Sequence, residues 1–150
     1  MMGLEAFLMG LQDLGKGDAM RIFEVMTRRV QTLSENDRMD LASAVLSFWK
    51  YRHLPVVDPD HRVVGMVTPA EVLEAVQKRG MTGPITVSEV MRRPARTIRE
   101  DEHITAALPR MKEAGMHALP VVDEAGRLVG IATDVDVLVS AARDRPRGID

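Results

Sequence analysis

The chain of 150 residues contains no cysteine. Disulfides and thiolate metal sites are therefore excluded outright, and the composition fits a cytoplasmic protein. Aromatic residues are scarce, with three Phe, one Trp and one Tyr. Single-stranded nucleic acids are held on aromatic stacking platforms, so that class of function is disfavoured. The core has to be built from aliphatic side chains and the eleven methionines. No sign of charge dominates: the formal net charge is −2, with acids and bases interleaved. That pattern lacks the basic footprint of a nucleic-acid surface. No apolar run approaches the roughly 20 residues of a membrane-spanning helix, so neither nucleic acid nor membrane is an expected partner. The N-terminal stretch MMGLEAFLMGLQDLGKGD is apolar but carries Glu5 and Asp13 and has no basic start, so it does not read as a signal peptide. The four histidines (His53, His61, His103, His117) have no metal-ligand spacing. No Ser stands in a nucleophile motif. No catalytic residue and no metal site is expected, and the chain reads as non-enzymatic.

What the sequence does contain is a duplication. Shifted by 65 residues, it falls onto itself without a gap: Glu24-Val25-Met26 onto Glu89-Val90-Met91, Leu54-Pro55-Val56-Val57-Asp58 onto Leu119-Pro120-Val121-Val122-Asp123, Val64-Gly65 onto Val129-Gly130, Thr68 onto Thr133, and Val72-Leu73 onto Val137-Leu138. Internal repetition is the first feature to seek, because it fixes the architecture. The segments are an N-terminal amphipathic helical piece (1–19), repeat 1 (20–80), a breaker-rich linker (81–84), repeat 2 (85–145) and a tail (146–150).

Each repeat has the same expected layout. An extended piece (30–33; 96–98) leads to an acidic helix start, Ser34-Glu-Asn-Asp37 as N-cap in the first repeat and Glu100-Asp-Glu102 in the second. The first helix runs through Met39, Ala42, Leu46 and Trp49, the second through Ile104, Ala107, Leu108 and Met111, both at three-to-four spacing. Pro109 falls inside the second and is expected to kink it. Two Val/Ile/Leu-rich strands follow, 54–57 with 63–67 and 119–122 with 128–132, each pair joined by a turn starting at Asp58 or Asp123. A closing helix ends each repeat (69–78; 134–142), with Pro69 suited to the first helical position. One such unit of about 60 residues is marginal alone. The expected fold is therefore α/β, of α+β type: two βαββα repeats sharing a core about a pseudo-two-fold.

The segment Gly130-Ile131-Ala-Thr133-Asp-Val-Asp136 joins a strand to a helix. Backbone N–H groups and a hydroxyl at a helix start favour a phosphate, and a carboxylate one turn in can accept both hydrogens of a ribose diol. The same residues also suit a structural role, with Thr133 as an N-cap and Asp136 complementing the helix dipole. The first repeat departs from this pattern as Gly65-Met66-Val-Thr68-Pro69-Ala-Glu71. Its carboxylate is one methylene longer and Pro69 lacks an N–H, so this corner is expected to be weaker, altered or empty.

The pattern VM…T…A…LPVVD…GRLVG-x-x-T-x-x-D, found twice, resembles the CBS domain, and the pair resembles a CBS tandem, or Bateman module, over about residues 20–142. The resemblance implies a cleft between repeats for an adenine nucleotide or adenosyl-type ligand (AMP, ADP, ATP, NAD or S-adenosylmethionine), with Thr133 on phosphate and Asp136 on ribose. It also implies that the residues three before each strand proline, Arg52 and His117, point at ligand phosphates. Arg52 is a permanent cation, whereas His117 charges only in mildly acidic conditions. One nucleotide-binding site would gather Arg29, Gln31, Arg52, His53, Ile131, Thr133 and Asp136. A second, weaker site would gather Met66, Thr68, Glu71, Arg96 and His117. Arg52 and His53 also suit a solvated helix end.

Gly10-Leu-Gln-Asp-Leu-Gly15-Lys16-Gly17 approaches a P-loop but has Gly17 where a Mg²⁺-holding hydroxyl belongs, and no strand precedes it. Leu4, Phe7, Leu8, Leu11 and Leu14 instead form an amphipathic stripe. The expected function is a regulatory sensor whose ligand shifts the packing of the repeats, which a separate regulated protein partner reads. The alternative is a structural or protein-interaction module with degenerate sites. A homodimer is expected from the exposed repeat helices around Phe48 and Trp49, clamped by residues 1–17.

Overall fold

The computed structural model describes residues 20–47, 52–81 and 83–143. The expected N-terminal helical segment (1–19), the surface around Phe48 and Trp49, and the tail (146–150) lie outside the described residues. The short aliphatic runs become strands and the three-to-four patterns become helices. The elements are α1 (Ile22–Val25), β1 (Leu33–Ser34), β2 (Arg38–Asp40), α2 (Leu41–Ser47), β3 (Leu54–Val57), β4 (Val63–Val67), α3 (Pro69–Arg79), β5 (Pro84–Thr86), α4 (Val87–Val90), β6 (Ile98–Arg99), a 3₁₀ turn (Ile104–Ala106), α5 (Ala107–Ala114), β7 (Ala118–Val122), β8 (Leu128–Thr133) and α6 (Asp134–Arg143). The βαββα order stands in both repeats, as β1-α2-β3-β4-α3 and β6-α5-β7-β8-α6.

The chain forms two compact units, and they cut across the repeat boundaries. Among the described residues, one, the first-repeat unit, holds those within 29–97 together with 124–128; the other, the second-repeat unit, holds 20–28, 98–123 and 129–143. In the first-repeat unit β1 lies parallel to β3, with Leu33 opposite Val56, and β3 lies antiparallel to β4. Leu41, Val56, Val67, Val72, Ile85, Val87 and Met91 are its buried centre. In the second-repeat unit β6 lies parallel to β7, with Ile98 opposite Val121, in a sheet ordered β6-β7-β8. Ile22, Ile98, Ile104, Leu119, Val121 and Val137 are buried at its centre.

The exchange across repeat boundaries has a steric basis in two glycines. A Cβ on Gly65 would stand 2.6 Å from Met91 Sδ, and one on Gly130 would stand 2.7 Å from Met26 Sδ. So the Glu-Val-Met segment of each repeat seats its methionine on the glycine strand of the other. Two backbone bonds of 2.9 Å, from Thr27 N–H to Ile131 O and from Ile131 N–H to Thr27 O, fix one contact. Arg92 N–H to Met66 O (2.8 Å) and Met66 N–H to Arg92 O (3.3 Å) fix the other. The glutamates of the two segments cap their own short helices: Arg21 N–H donates to Glu24 Oε2 at 2.7 Å and Thr86 N–H to Glu89 Oε2 at 3.3 Å.

Several local expectations are corrected. Met39 is not helical; it lies in β2 opposite Ile85 of β5, because the strand pairing draws it out of the helix pattern. Ser34 is not the N-cap either. Asp37 Oδ2 accepts the Ser34 N–H at 2.9 Å in a tight turn, and the helix cap is Asp40, whose Oδ1 accepts the Ala42 N–H at 2.9 Å. Glu102 repeats that turn, accepting the Arg99 N–H at 2.7 Å, so residues 100–102 precede the helix rather than start it. The extended pieces begin later than expected, at Leu33 and Ile98. Pro109 falls in the first turn of α5, after the 3₁₀ turn, where its missing N–H would have no helical partner anyway. Pro69 takes the first helical position with Thr68 at the N-cap, and Asp58 is a turn residue whose Oδ1 accepts the N–H groups of Asp60 and Arg62, each at 2.9 Å.

Candidate ligand-binding site

In each repeat the last strand runs into the closing helix through a Thr-x-x-acid corner, and the two corners are wired differently. In the second-repeat unit Asp136 N–H donates to Thr133 Oγ1 at 3.1 Å, and Thr133 N–H donates to Asp136 Oδ2 at 3.4 Å. This reciprocal cap engages both residues structurally. It leaves the Thr133 hydroxyl proton and Asp136 Oδ1 without partners among the described residues. The free helix-start N–H groups expected for phosphate are not there. Asp134 N–H donates to the His117 carbonyl at 2.9 Å and Val135 N–H to Asp134 Oδ1 at 2.7 Å. With the Asp136 N–H also engaged, the hydroxyl proton is the donor that remains.

In the first-repeat unit the Thr68 hydroxyl donates to Glu71 Oε2. Glu71 is the buried charged residue among the described residues, 8% exposed. Its Oε1 is buried with no hydrogen-bond partner among the described residues.

The first-repeat unit also holds a cavity of about 310 Å³ on the face where β1 and the start of β3 meet α2. Gln31, Thr32, Asp40, Ser43, Ser47 and Leu54 are among its lining residues. Its volume lies at the lower end for small-molecule pockets. Of the residues expected at a nucleotide, Gln31 lines this cavity, and Arg52 and Arg29 are exposed in the same unit. His53 is half-buried there, immediately before β3. Ile131 is 9% exposed and belongs to the second-repeat unit with Thr133 and Asp136. Of the second set, Thr68 and Glu71 are in direct contact, and Arg96 and Met66 share their unit. Met66 is 2% exposed, which leaves little side chain for a ligand. His117 lies in the second-repeat unit with Nδ1 3.1 Å from Asp134 Oδ2. Sequence reasoning missed Asp40, Ser43 and Ser47. Their three-to-four spacing places them on one helix flank, which was the available signal.

The second-repeat unit carries an open, more polar cavity of about 570 Å³ beside Arg21, Arg99, Asp101, Glu102 and His103. Arg21 Nη1 donates to the Asp101 carbonyl at 2.8 Å, and Arg110 clasps both oxygens of Glu102 at 2.7 and 2.8 Å. That hydrogen-bonded pairing with Arg110 is the main reason the Glu102 carboxyl is held below its ordinary range. No group of His, Asp or Glu among the described residues is arranged to hold a metal ion, and no described helix is long and apolar enough to cross a membrane.

A family model for the CBS domain matches the chain twice, over residues 22–78 and 87–142. The chain belongs to the CBS-domain family. This CBS pair is similar to a homoserine O-acetyltransferase of Methanococcoides burtonii, 36% identical over 116 residues that make up 77% of this chain and 23% of that protein. It is also similar to an L-aspartate semialdehyde sulfurtransferase of Methanocaldococcus jannaschii, 28% identical over 76% of this chain and 22% of the relative. The chain thus spans under a quarter of the length of these curated relatives. Among solved structures, the CBS domain pair of protein MJ0100, in complex with 5′-methylthioadenosine and S-adenosyl-L-methionine, has a TM-score of 0.70 and 25% identity, covering 85% of this chain and 99% of that one. CBSX2 of Arabidopsis thaliana, in complex with AMP, has a TM-score of 0.67 and 26% identity, covering 82% and 96%.

Proposed function

We propose that this CBS pair is a non-catalytic regulatory module for an adenine nucleotide or adenosyl-type ligand: AMP, ADP, ATP, NAD or S-adenosylmethionine. The observation that carries the reading is the Thr133–Asp136 corner, where a hydroxyl proton and a carboxylate oxygen stand ready after the cap is made. A hydroxyl donor suits a phosphate or carbonyl oxygen, and a carboxylate suits a ribose diol. In this reading Asp136 receives the ribose, Thr133 a phosphate oxygen, and Ile131 flanks the base. Thr68 and Glu71 belong to a second, weaker position. The adenosyl ligands and AMP bound by the similar solved CBS pairs support the ligand class. The ligand would bias the packing of the pair, and a separate cytoplasmic protein would read the change.

Screening those five ligands by thermal shift tests the proposal. A ligand at 100 times its dissociation constant stabilises by about 2.7 kcal/mol, which for a domain of this size raises Tm by about 5–10 °C. No shift with any of them contradicts it. We further propose a homodimer. Exposed apolar residues on α6, Val135 (62%) and Val139 (42%), and Leu73 (59%) on α3, support it. Light scattering at micromolar concentration should report twice the chain mass; a monomer contradicts it.

A further inference from the structure

We infer that Glu71 makes the first-repeat corner selective against phosphate, so that it takes an unphosphorylated, donor-bearing nucleoside of the adenosyl type. The inference rests on the ligand-binding reading above and adds to it a division of ligand chemistry between the two corners. Their plans match, but their hydrogen-bond polarity is opposite. Thr133 Oγ1 accepts from the Asp136 N–H, so its own proton can be given to a ligand. Thr68 gives its proton to Glu71 Oε2 and has none left. The next residue is Pro69, which has no N–H at all.

The first-repeat corner therefore has no threonine hydroxyl proton to give and no N–H at the first helical position. Its second observation is stronger. Glu71 is 8% exposed, and its Oε1 is buried without a partner among the described residues. Buried polar groups normally find partners, and a ligand hydroxyl, amine or other donor would supply one here. A phosphate would place like charge against a shielded carboxylate, where Coulomb repulsion is least screened. The extra methylene of glutamate accounts for the difference. It lets the carboxylate fold back to the threonine hydroxyl, whereas the shorter Asp136 reaches only the Thr133 backbone N–H.

The test uses the full chain carrying Asp136→Ala, which silences the second-repeat corner, titrated by calorimetry with 5′-methylthioadenosine and with AMP. The nucleoside should bind at least about ten-fold more tightly than AMP, the scale expected for juxtaposed like charges. Adding Glu71→Gln removes the charge and should narrow the preference to within about three-fold, under half a decade. Glu71→Asp, in the same background, restores the carboxylate length of the other corner and should raise AMP affinity by freeing the Thr68 hydroxyl. It keeps the test decisive if the glutamine variant does not fold. The inference is overturned if AMP binds the Asp136→Ala protein as tightly as the nucleoside does, if both Glu71 variants leave the ratio unchanged, or if that background binds neither probe. In each case, adenylate binding by the Glu71→Gln single variant through its intact Asp136 corner would show that the broader reading survives. Absence of binding there and in the parent would sink both.

Discussion

Replacing Gly130 by alanine perturbs the molecule where one repeat receives the other's methionine. The added Cβ would lie 2.7 Å from Met26 Sδ and 2.8 Å from the Thr27 carbonyl oxygen. The thioether of Met26 can swing, but the residue is 9% exposed and has little room. The carbonyl cannot move cheaply, because it accepts the Ile131 N–H at 2.9 Å and its own residue donates back to Ile131 O at 2.9 Å. Relief must come from parting the two-bond bridge between Thr27 and Ile131, so the cost should fall in the overpacking range of about 1–3 kcal/mol. At about 2–4 °C per kcal/mol for a chain of this length, Tm should drop by about 2–12 °C. Gly65→Ala provides the internal comparison. Its hard contact is the flexible Met91 Sδ at 2.6 Å, while the nearest backbone oxygen, of Arg92, is 3.1 Å away. That variant should lose about 1 kcal/mol or less. Circular dichroism melts of both proteins give the comparison directly. A Gly130→Ala protein melting within about 1 °C of the parent, well below the shift for 1 kcal/mol, or Gly65→Ala falling further than Gly130→Ala, would refute this account of the exchange.

Further outcomes follow from the same geometry. Asp136→Ala should weaken adenylate binding about ten- to a hundred-fold, the loss of a hydrogen bond to a charged group, as read by calorimetry; unchanged affinity would remove Asp136 from the site. Because Arg110 holds the folded-state carboxyl of Glu102 below the ordinary value of 4.5, the pair's stabilisation is present above that value and is lost as pH falls through the lowered one. Urea titrations between about pH 5 and pH 3 should therefore show the parent losing stability more steeply than Glu102→Gln. The difference should be no more than about 1 kcal/mol, since both side chains are about a third exposed (35% and 29%). A fragment of residues 20–80 should not unfold cooperatively, because it lacks Met91 for Gly65 and Gly130 for Met26; a sharp two-state melt of that fragment would contradict the exchange.

The duplication, the βαββα order and the strand pairs were legible because five-residue aliphatic runs and an ungapped 65-residue shift leave little else to choose. The exchange of Glu-Val-Met segments was not, since a repeat reveals which residues are equivalent and never which copy touches which. β2 and β5 were missed for a different reason. Strands of three residues have no measurable period, and Met39 falls by accident on the helical spacing of Ala42 and Leu46. Asp37 and Asp40 illustrate a third limit: aspartate closes turns and caps helices with the same hydrogen bond, so sequence cannot rank them. At the candidate site the Thr-x-x-acid corners were readable as residues. Which partner the threonine hydroxyl takes depends on one methylene in Glu71, and only coordinates display that.

The central claim, an adenine-ligand module using the Thr133–Asp136 corner, is tested most directly by mapping backbone amide chemical shifts during titration with AMP and S-adenosylmethionine. At saturation at least one of the two should move the amides of Thr133 to Asp136 most strongly, saturably and with one dissociation constant. No saturable change at millimolar ligand, or changes centred instead on Arg21 and Asp101 to Thr105, would contradict it.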